Sequence, residues 1–277
     1  MSKLIDYEAA TRFDRDDILL KDGINGTKKI VVSDAAREFA GLVSVQNHRN
    51  IWGGRNLGSS VSSEQKAAIK AGTFDNLFVG DYWVINGITW RIWDMDYFYR
   101  CGDTDFTKHH LVIIPDTALY SHAMNDTNVT NGGYVGSKMY TEGLEQAKTI
   151  IRAAFGDMVL THRDYLINAV TNGHPSAGAW FDSEVELMNE IMVYGCHVYA
   201  AMGDGAMVPT KYTTGKQQFA AAMLNPSIVN RRYTYWLRDV VSSAAFAGVG
   251  GDGAAACNSA SFSLGVRPYF IIGVREN

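Results

Sequence analysis

The chain has 277 residues, 47% of them hydrophobic, which is enough for one large domain with an appendage or for two domains. Its formal net charge is −4 and it has no run of Lys or Arg, so we expect no nucleic-acid partner. No apolar run approaches the ~20 residues of a membrane-spanning helix, and the acidic, polar start is unlike a signal peptide. These features predict a protein made in a cytoplasm, without membrane insertion.

Residues 1–45 predict a small N-terminal element. The pattern indicates two strands, over 17–22 and 27–32, that form a hairpin, followed by a helix over 35–42. A hairpin with a two-turn helix buries too little apolar surface to be stable alone in water. We therefore expect it to dock on its neighbours, on copies of itself or on a larger assembly.

Residues 46–71 predict a polar, glycine-rich linker followed by a short helix. Ser62 and Gln65 fit a capping box at the start of that helix, and Gly72 is placed to end it. The linker is expected to separate the N-terminal element from the rest of the chain.

The clearest strand signal is a hairpin over 82–92. Its centre is Asn86-Gly87, a pair that tolerates the positive φ angles of a type I′ turn. Such a turn fixes the register, so Trp83 should face Trp90. The two indoles then lie on one face of the hairpin and begin a core.

Three helices are predicted in the middle of the chain. Residues 141–155 carry an apolar stripe at helical spacing. Residues 183–194 begin with a capping box made by Ser183 and Glu186, and 162–170 is a shorter candidate between the two.

Strands are predicted over 110–115, over 233–241 and over 265–273, the last two separated by a tract rich in Gly, Ala and Ser. Pro268 removes a ladder donor, which places the final strand at an edge or makes it bulged there. The order of strands, helices and strands favours an α+β fold rather than a doubly wound sheet.

Adjacent histidines and spaced carboxylates are the first candidates for chemistry. His109 and His110 open a strand, where neighbouring side chains point to opposite faces, so the pair cannot chelate one ion. Asp94 and Asp96 could place two carboxylates on one face, but a solvated strand end is the favoured interpretation.

The cysteines indicate neither a disulfide framework nor a metal site. Cys101, Cys196 and Cys257 are far apart and odd in number, which predicts unpaired thiols. Cys196 precedes His197 in an apolar stretch, typical of a small buried thiol beside a hydrogen-bonded His. We predict no catalytic residue, no metal and no cofactor, and therefore a binding protein rather than an enzyme.

The most informative pattern closes the chain. Tyr235-Trp-Leu-Arg-Asp239 and Gly265-Val-Arg-Pro268-Tyr-Phe270 frame the Gly/Ala/Ser tract, and Val79-Gly-Asp-Tyr-Trp83 and Ser176-Ala-Gly-Ala-Trp180 add to the pattern. The ensemble resembles the C-type-lectin-like domains of phage and prophage adhesins. Several of those are variable proteins of diversity-generating retroelements, and the formylglycine-generating enzyme shares the fold. The resemblance implies a C-type-lectin-like receptor-binding domain over 72–277.

By that resemblance, the protein is a receptor-binding protein at a phage tail tip or fibre. Its C-terminal surface contacts a host cell-surface protein or glycan, and the N-terminal element attaches to other virion proteins. The resemblance implies a homo-oligomer, with a trimer favoured. It also implies that the protein is located in the virion. A structural or decoration protein of the virion is the alternative. An enzyme of the formylglycine-generating type is the second alternative, although its catalytic cysteine pair has no match in this chain.

The resemblance also divides the C-terminal residues into contacts and frame. The implied ligand contacts are Ala245, Gly248, Gly250, Gly251, Asp252, Ala254, Ala256, Cys257, Asn258, Ser259 and Phe262. The implied frame within the tract is Phe246, Ala247, Val249, Gly253, Ala255 and Ala260. The implied scaffold beside it is Trp236, Arg238, Gly265, Arg267 and Pro268.

The composition of the tract has two interpretations. Retroelements of this kind replace adenines in AAY codons, which makes Lys, Glu, Gln, Met and Trp inaccessible. None of these five residue types occurs over 240–266. This absence favours a diversified surface, but a plain flexible loop rich in Gly, Ala and Ser would show it too.

Overall fold

The protein has an α+β fold in which strands outnumber helices, which confirms the predicted class. The structure is a computed structural model that describes residues 18–21, 28–31, 48–200 and 217–275. In the described part of the chain, no helix is both long enough and apolar enough to cross a membrane.

The N-terminal hairpin predicted from the sequence is confirmed. Its strands are β1 (Ile18–Lys21) and β2 (Lys28–Val31), which pair antiparallel. The turn between them and the helix predicted over 35–42 lie outside the described residues.

Two sheets form the body of the protein. The first has the order β10-β15-β5-β4-β3, and β7 also pairs with β15. Its strands are β3 (Tyr82–Ile85), β4 (Ile88–Met95), β5 (Leu111–Pro115), β7 (Val159–Leu160), β10 (Val185–Glu186) and β15 (Tyr269–Ile272). The second has the order β13-β12-β11-β14-β6. Its strands are β6 (Tyr120–Ala123), β11 (Tyr235–Val240), β12 (Ala245–Val249), β13 (Ala255–Ser259) and β14 (Ser263–Val266).

A separate two-stranded ribbon and four short helices complete the described structure. The ribbon is β8 (His162–Thr171) paired with β9 (His174–Ser183). The helices are α1 (Ser63–Ala71), α2 (Leu144–Phe155), α3 (Glu190–Tyr194) and α4 (Ala220–Leu224). A π-helical turn (Met139–Gly143) precedes α2, and 3₁₀ turns occupy Gly156–Met158 and Pro226–Ile228.

The segment predicted as a linker lies against the first sheet. Gly53 N donates to Val79 O at 2.8 Å, and Leu57 N donates to Tyr82 O at 2.7 Å. Backbone groups of this segment therefore find their partners within the folded unit. That unit begins upstream of the predicted boundary at residue 72.

The helix that follows, α1, has the predicted capping box. Ser62 Oγ accepts a hydrogen bond from Gln65 N, and Gln65 Oε1 accepts one from Ser62 N. Gly72 ends the helix with a φ of 69°, in the left-handed region that favours glycine.

The β3–β4 hairpin has the predicted register. Asn86 and Gly87 have φ angles of 52° and 77°, as a type I′ turn requires. Trp83 lies opposite Trp90, and both buried indoles pack edge-on against Phe155 at the end of α2. The pair does begin the core.

Two predicted helices are wrong. Residues 162–170 lie in strand β8, and 183–194 contains the end of β9, the two-residue strand β10 and only a five-residue helix, α3, at its end. Ser183 and Glu186 are both buried in strands and form no capping box. Asn189 caps α3 instead, since its Oδ1 accepts from Met192 N at 2.8 Å.

The final strand is also different from its prediction. Residues 265–273 divide into the end of β14 in the second sheet and β15 in the first, with Pro268 buried at the crossing. Strand β15 pairs with β5 on one side and with β10 and β7 on the other, so it is an interior strand rather than an edge. Proline is tolerated because it sits between the two ladders.

Candidate ligand-binding surface

The Gly/Ala/Ser tract forms a hairpin at one end of the second sheet. Strand β12 pairs with β11 on one side and with β13 on the other, and β13 is the last strand of the sheet. A tight connection joins them: Gly250 N donates to Ala254 O at 2.7 Å, and Asp252 Oδ1 accepts from Ala254 N at 3.0 Å. The tract is therefore an ordered hairpin with a hydrogen-bonded turn rather than an irregular loop.

Most of the predicted contact positions reach the surface of this hairpin. Asp252, Ala254, Cys257 and Phe262 are exposed, and Phe262 retains 55% of its accessible area. Half-buried positions are Ala245, Gly250, Gly251, Ala256, Asn258 and Ser259. The prediction that Gly248 contacts the ligand is wrong, because this residue is buried. A Cβ at this position would lie 2.9 Å from Tyr235 O.

The predicted frame positions differ in burial. Phe246, Ala247, Val249 and Ala260 are buried in the core. Gly253 and Ala255 are half-buried. Core packing therefore holds β12, while β13 and the turn are half-buried or exposed at the edge of the sheet.

Arg238 lies in β11, the strand that pairs with the hairpin, and makes buried polar contacts. Its Nη1 lies 2.7 Å from Asp164 Oδ2 and its Nη2 lies 3.3 Å from Oδ1, and Tyr269 OH donates to the same Oδ2 at 2.5 Å. All three side chains are buried. This network ties β11 to the ribbon strand β8 and to β15 of the first sheet.

Arg267 ties the two sheets together where the chain crosses between them. Its Nε donates to Pro115 O at 2.9 Å, its Nη1 donates to Tyr235 OH at 3.2 Å, and its guanidinium lies over the Trp93 ring. Trp236, likewise buried, donates from Nε1 to His122 O at 2.8 Å.

Gly265 completes the buried scaffold in β14. A Cβ at this residue would lie 2.9 Å from Ala118 Cβ, so the close approach of the two chains requires glycine. All five predicted scaffold residues are buried: Trp236, Arg238, Gly265, Arg267 and Pro268.

Two flanking segments that the sequence analysis did not single out also contact the tract. Asn128 Oδ1 accepts from both the backbone N and the Oγ of Ser261, at 3.1 and 2.7 Å. Thr130 Oγ1 donates to Ser242 O at 2.8 Å on the other side. At the tip of the ribbon, a Cβ on Gly173 would meet Ser243 N at 2.8 Å. No local pattern marks these contacts, because they join residues more than 60 positions apart.

A polar cleft of about 390 Å³ adjoins the hairpin. It lies between the loop over 125–131 and the π-helical turn, and Asn125 N donates to Ala260 O to hold the loop in place. Asp126 and Lys138 form an ion pair of 2.7 Å in its wall. The cleft presents amide, carboxylate, hydroxyl and ammonium groups.

The histidine and carboxylate candidates have structural partners. His109 Nδ1 lies 2.7 Å from Asp96 Oδ2, whereas His110 is fully buried and accepts from Phe98 N at 3.1 Å. The prediction of a solvated strand end is wrong for Asp94, because its side chain is buried. Arg49 Nε lies 2.5 Å from its Oδ1. Burial raises the pKa of Asp94, against the opposing effect of Arg49.

The cysteine predictions are partly confirmed. Cys101, Cys196 and Cys257 are all free thiols. Cys196 is exposed rather than buried, and the ring nitrogens of neighbouring His197 have no hydrogen-bond partner within residues 48–200 and 217–275, so that interpretation was wrong.

A second cleft, of about 300 Å³, is lined by residues that include Phe106, His162, Arg163 and Asp182. Burial lowers the pKa of His162 to about 4, so its imidazole is neutral at neutral pH. Arg163 forms ion pairs with Asp103 and Asp182 at the rim. Within residues 48–200 and 217–275, no three His, Cys, Asp or Glu side chains gather as a metal site would need.

No family model matches the sequence, and no similar protein was found among curated proteins or among solved structures.

Proposed function

We propose that this protein is a receptor-binding protein of a phage virion, which presents the β12–β13 hairpin and Phe262 to a ligand on the host surface. One observation carries the proposal: the outward side chains of the tract are distinct from the buried side chains that hold it. Asp252, Ala254, Cys257 and Phe262 are exposed, whereas Phe246, Ala247 and Val249 are core residues. The residues at these exposed positions can therefore be substituted without the loss of a core contact.

The proposal assigns the domain to the C-type-lectin-like fold. Its support is the sequence frame described above, together with the positions of the frame's residues in the structure. Arg238 links β11 to β8 by a buried ion pair, and Arg267, directly after β14, donates to Pro115 at the end of β5. A scaffold of this kind stays folded while the surface beside it varies.

The residue types on the hairpin set the expected strength of binding. Most contact positions hold Gly, Ala or Ser, and Phe262 is the one large apolar side chain among them. Protein interfaces draw most of their binding free energy from a few large side chains, so a single domain of this variant should bind weakly. The proposed homotrimer, attached to the virion through residues 1–45, would compensate, since avidity exceeds single-site affinity by ~10²–10⁴ when geometry permits.

The test is binding of the purified full chain to a panel of bacterial strains. Ala254→Tyr and Phe262→Ser change exposed positions of the hairpin, and Gln146→Tyr is the matched control on the exposed face of α2. We expect the first two variants to change which strains are bound, with little change in melting temperature. Binding that is unaffected by both hairpin variants would favour the structural or decoration role and contradict the proposal.

A further inference from the structure

Two arginines contact the carboxylate of Asp116, and a third arginine bonds the backbone carbonyl next to it. Arg91 binds Asp116 through two contacts, Nε to Oδ1 at 2.8 Å and Nη2 to Oδ2 at 2.5 Å. Arg231 Nη2 approaches the same Oδ1 at 3.4 Å. Arg267 donates from Nε to the carbonyl of Pro115, the residue before Asp116. Two guanidinium groups thus share one carboxylate and a third lies beside it, which leaves an excess of positive charge.

Arg267 is the deepest of the three. Its side chain is fully buried, and its Nη2 has no hydrogen-bond partner among the described residues. No carboxylate in the described part of the chain lies within ion-pair distance of it. A buried cation without a neutralising partner is costly, so this group is poised to accept an anion nearby.

Arg231 is the accessible member of the cluster. Its Nε is buried and lacks a hydrogen-bond partner in the part of the chain that the structure describes, although a fifth of its side chain is exposed. Burial lowers the pKa of Arg231, and the charges of Arg267 and Arg91 lower it further, against the opposing effect of Asp116. The folded protein therefore disfavours this charge in the absence of a further anion.

The segment that carries Arg231 lies beside the turn of the β12–β13 hairpin. Arg232, the neighbour of Arg231, donates from its backbone N to Gly251 O at 2.9 Å. A Cβ on Gly253 would lie 3.2 Å from Asn230 Cβ. The segment that carries Arg231 is thus packed against the turn over 250–254.

We propose that Arg231 and Arg267 form a binding site for an oxyanion, a carboxylate, sulfate or phosphate, next to this turn. Guanidinium donors match the geometry of such oxygens, and the two unpartnered N–H groups are donors that an oxyanion would satisfy. A water molecule could accept the same hydrogen bonds, but it is neutral and would not offset the excess positive charge of the arginines. The site does not depend on the receptor-binding proposal, and its test needs no receptor.

The experiment measures melting temperature at constant ionic strength, with sodium chloride replaced stepwise by acetate, sulfate or phosphate. The proteins are the full chain, Arg231→Met, and Arg232→Met as the matched control, since Arg232 is exposed and adjacent. We expect a saturable rise of about 2–4 °C in the full chain and in Arg232→Met, and none in Arg231→Met. General salting-out by sulfate would appear equally in all three.

A second readout separates binding from a purely structural role. Without added oxyanion, Arg231→Met should melt at or above the temperature of the full chain, because it removes a repelled charge. Glucuronate, compared with acetate and with neutral glucose, distinguishes a sugar-borne carboxylate from a free anion: a larger response to glucuronate than to acetate favours the former, and equal responses favour the latter. No saturable response in the full chain, or an undiminished response in Arg231→Met, would overturn the proposal.

Discussion

Arg238 and Asp164 form a buried ion pair across 74 residues of sequence, with Nη1 2.7 Å from Oδ2. The pair joins β11, which carries the proposed binding hairpin, to a ribbon that pairs with no other strand among the described residues. Tyr269 OH donates to the same carboxylate. These polar contacts act together with the buried apolar residues Leu166 and Ile167 to hold the ribbon beside the hairpin.

Replacing Asp164 with Asn should strongly destabilise the protein. The substitution leaves Arg238 charged and buried without its counterion, which costs about 3–5 kcal/mol. Urea unfolding monitored by tryptophan fluorescence measures the loss. Asp103→Asn, which breaks the exposed pair with Arg163, is the control and should hardly change the midpoint; equal effects would contradict the distinction.

Gly248 should not tolerate a side chain, although it lies within the proposed variable tract. A Cβ there meets Tyr235 O at 2.9 Å, a backbone atom that cannot move aside cheaply. Gly248→Val should cost about 1–3 kcal/mol, whereas Ala254→Val at the exposed turn should cost within about 0.5 kcal/mol. Thermal unfolding measures the stability of the two variants. Equal stability of Gly248→Val and Ala254→Val would show that β12 can shift to admit the side chain.

The sequence predicted those elements whose signals are local. The β3–β4 hairpin follows from Asn86-Gly87, and α1 follows from Ser62, Gln65 and Gly72, because each turn or cap is decided within a few residues. The burial of Trp236 and Phe270 also follows from their apolar surroundings.

Long-range partners overrode local patterns elsewhere. Residues 162–170 resemble a helix, but they pair with β9 and present Asp164 to Arg238. Glu186 fits a capping box by spacing, yet Tyr134 OH, 52 residues away, donates to its carboxylate at 2.7 Å. The flanks of the proposed site, such as Asn128 against Ser261, could not be predicted for the same reason.

His162 should make the protein less stable in acid. Burial lowers its pKa from 6.5 to about 4, so the unfolded chain binds a proton that the folded chain excludes. The associated stability is present above pH 6.5 and is lost as pH falls towards 4, by about 3 kcal/mol. Burial also lowers the pKa of His110 to about 4, which adds to the loss.

His162→Phe should therefore flatten the pH dependence of unfolding between pH 6.5 and 4. Phe is close in shape, and the ring already packs against Phe98 and Tyr269. Urea titrations at several pH values measure the slope. His174→Phe, at an exposed position, should leave it unchanged, and an unchanged slope in His162→Phe as well would contradict the assignment.

Glu186 should act in the opposite direction near neutral pH. Burial, with the neighbouring charge of Asp164, raises its pKa from 4.5 to about 7 despite the hydrogen bond from Tyr134. The associated stability is present below pH 4.5 and is lost as pH rises through about 7. Glu186→Gln should thus be more stable than the parent by about 2 kcal/mol at pH 8, and the gain should disappear at pH 4.5. A variant that is less stable at both pH values would show that the carboxylate is needed.

The exposed cysteines permit a direct test of where the protein binds. Cys257 lies on the proposed surface, Cys196 is exposed elsewhere, and Cys101 is buried. Cys196→Ser and Cys257→Ser each leave one exposed thiol, which can be joined to a maleimide-linked polyethylene glycol chain. Binding of each adduct to cells of a strain that the untreated protein recognises is then compared. We predict that the adduct at Cys257 abolishes binding and that the adduct at Cys196 leaves it intact. Undiminished binding with Cys257 blocked would contradict the assignment of the hairpin as the receptor-binding surface.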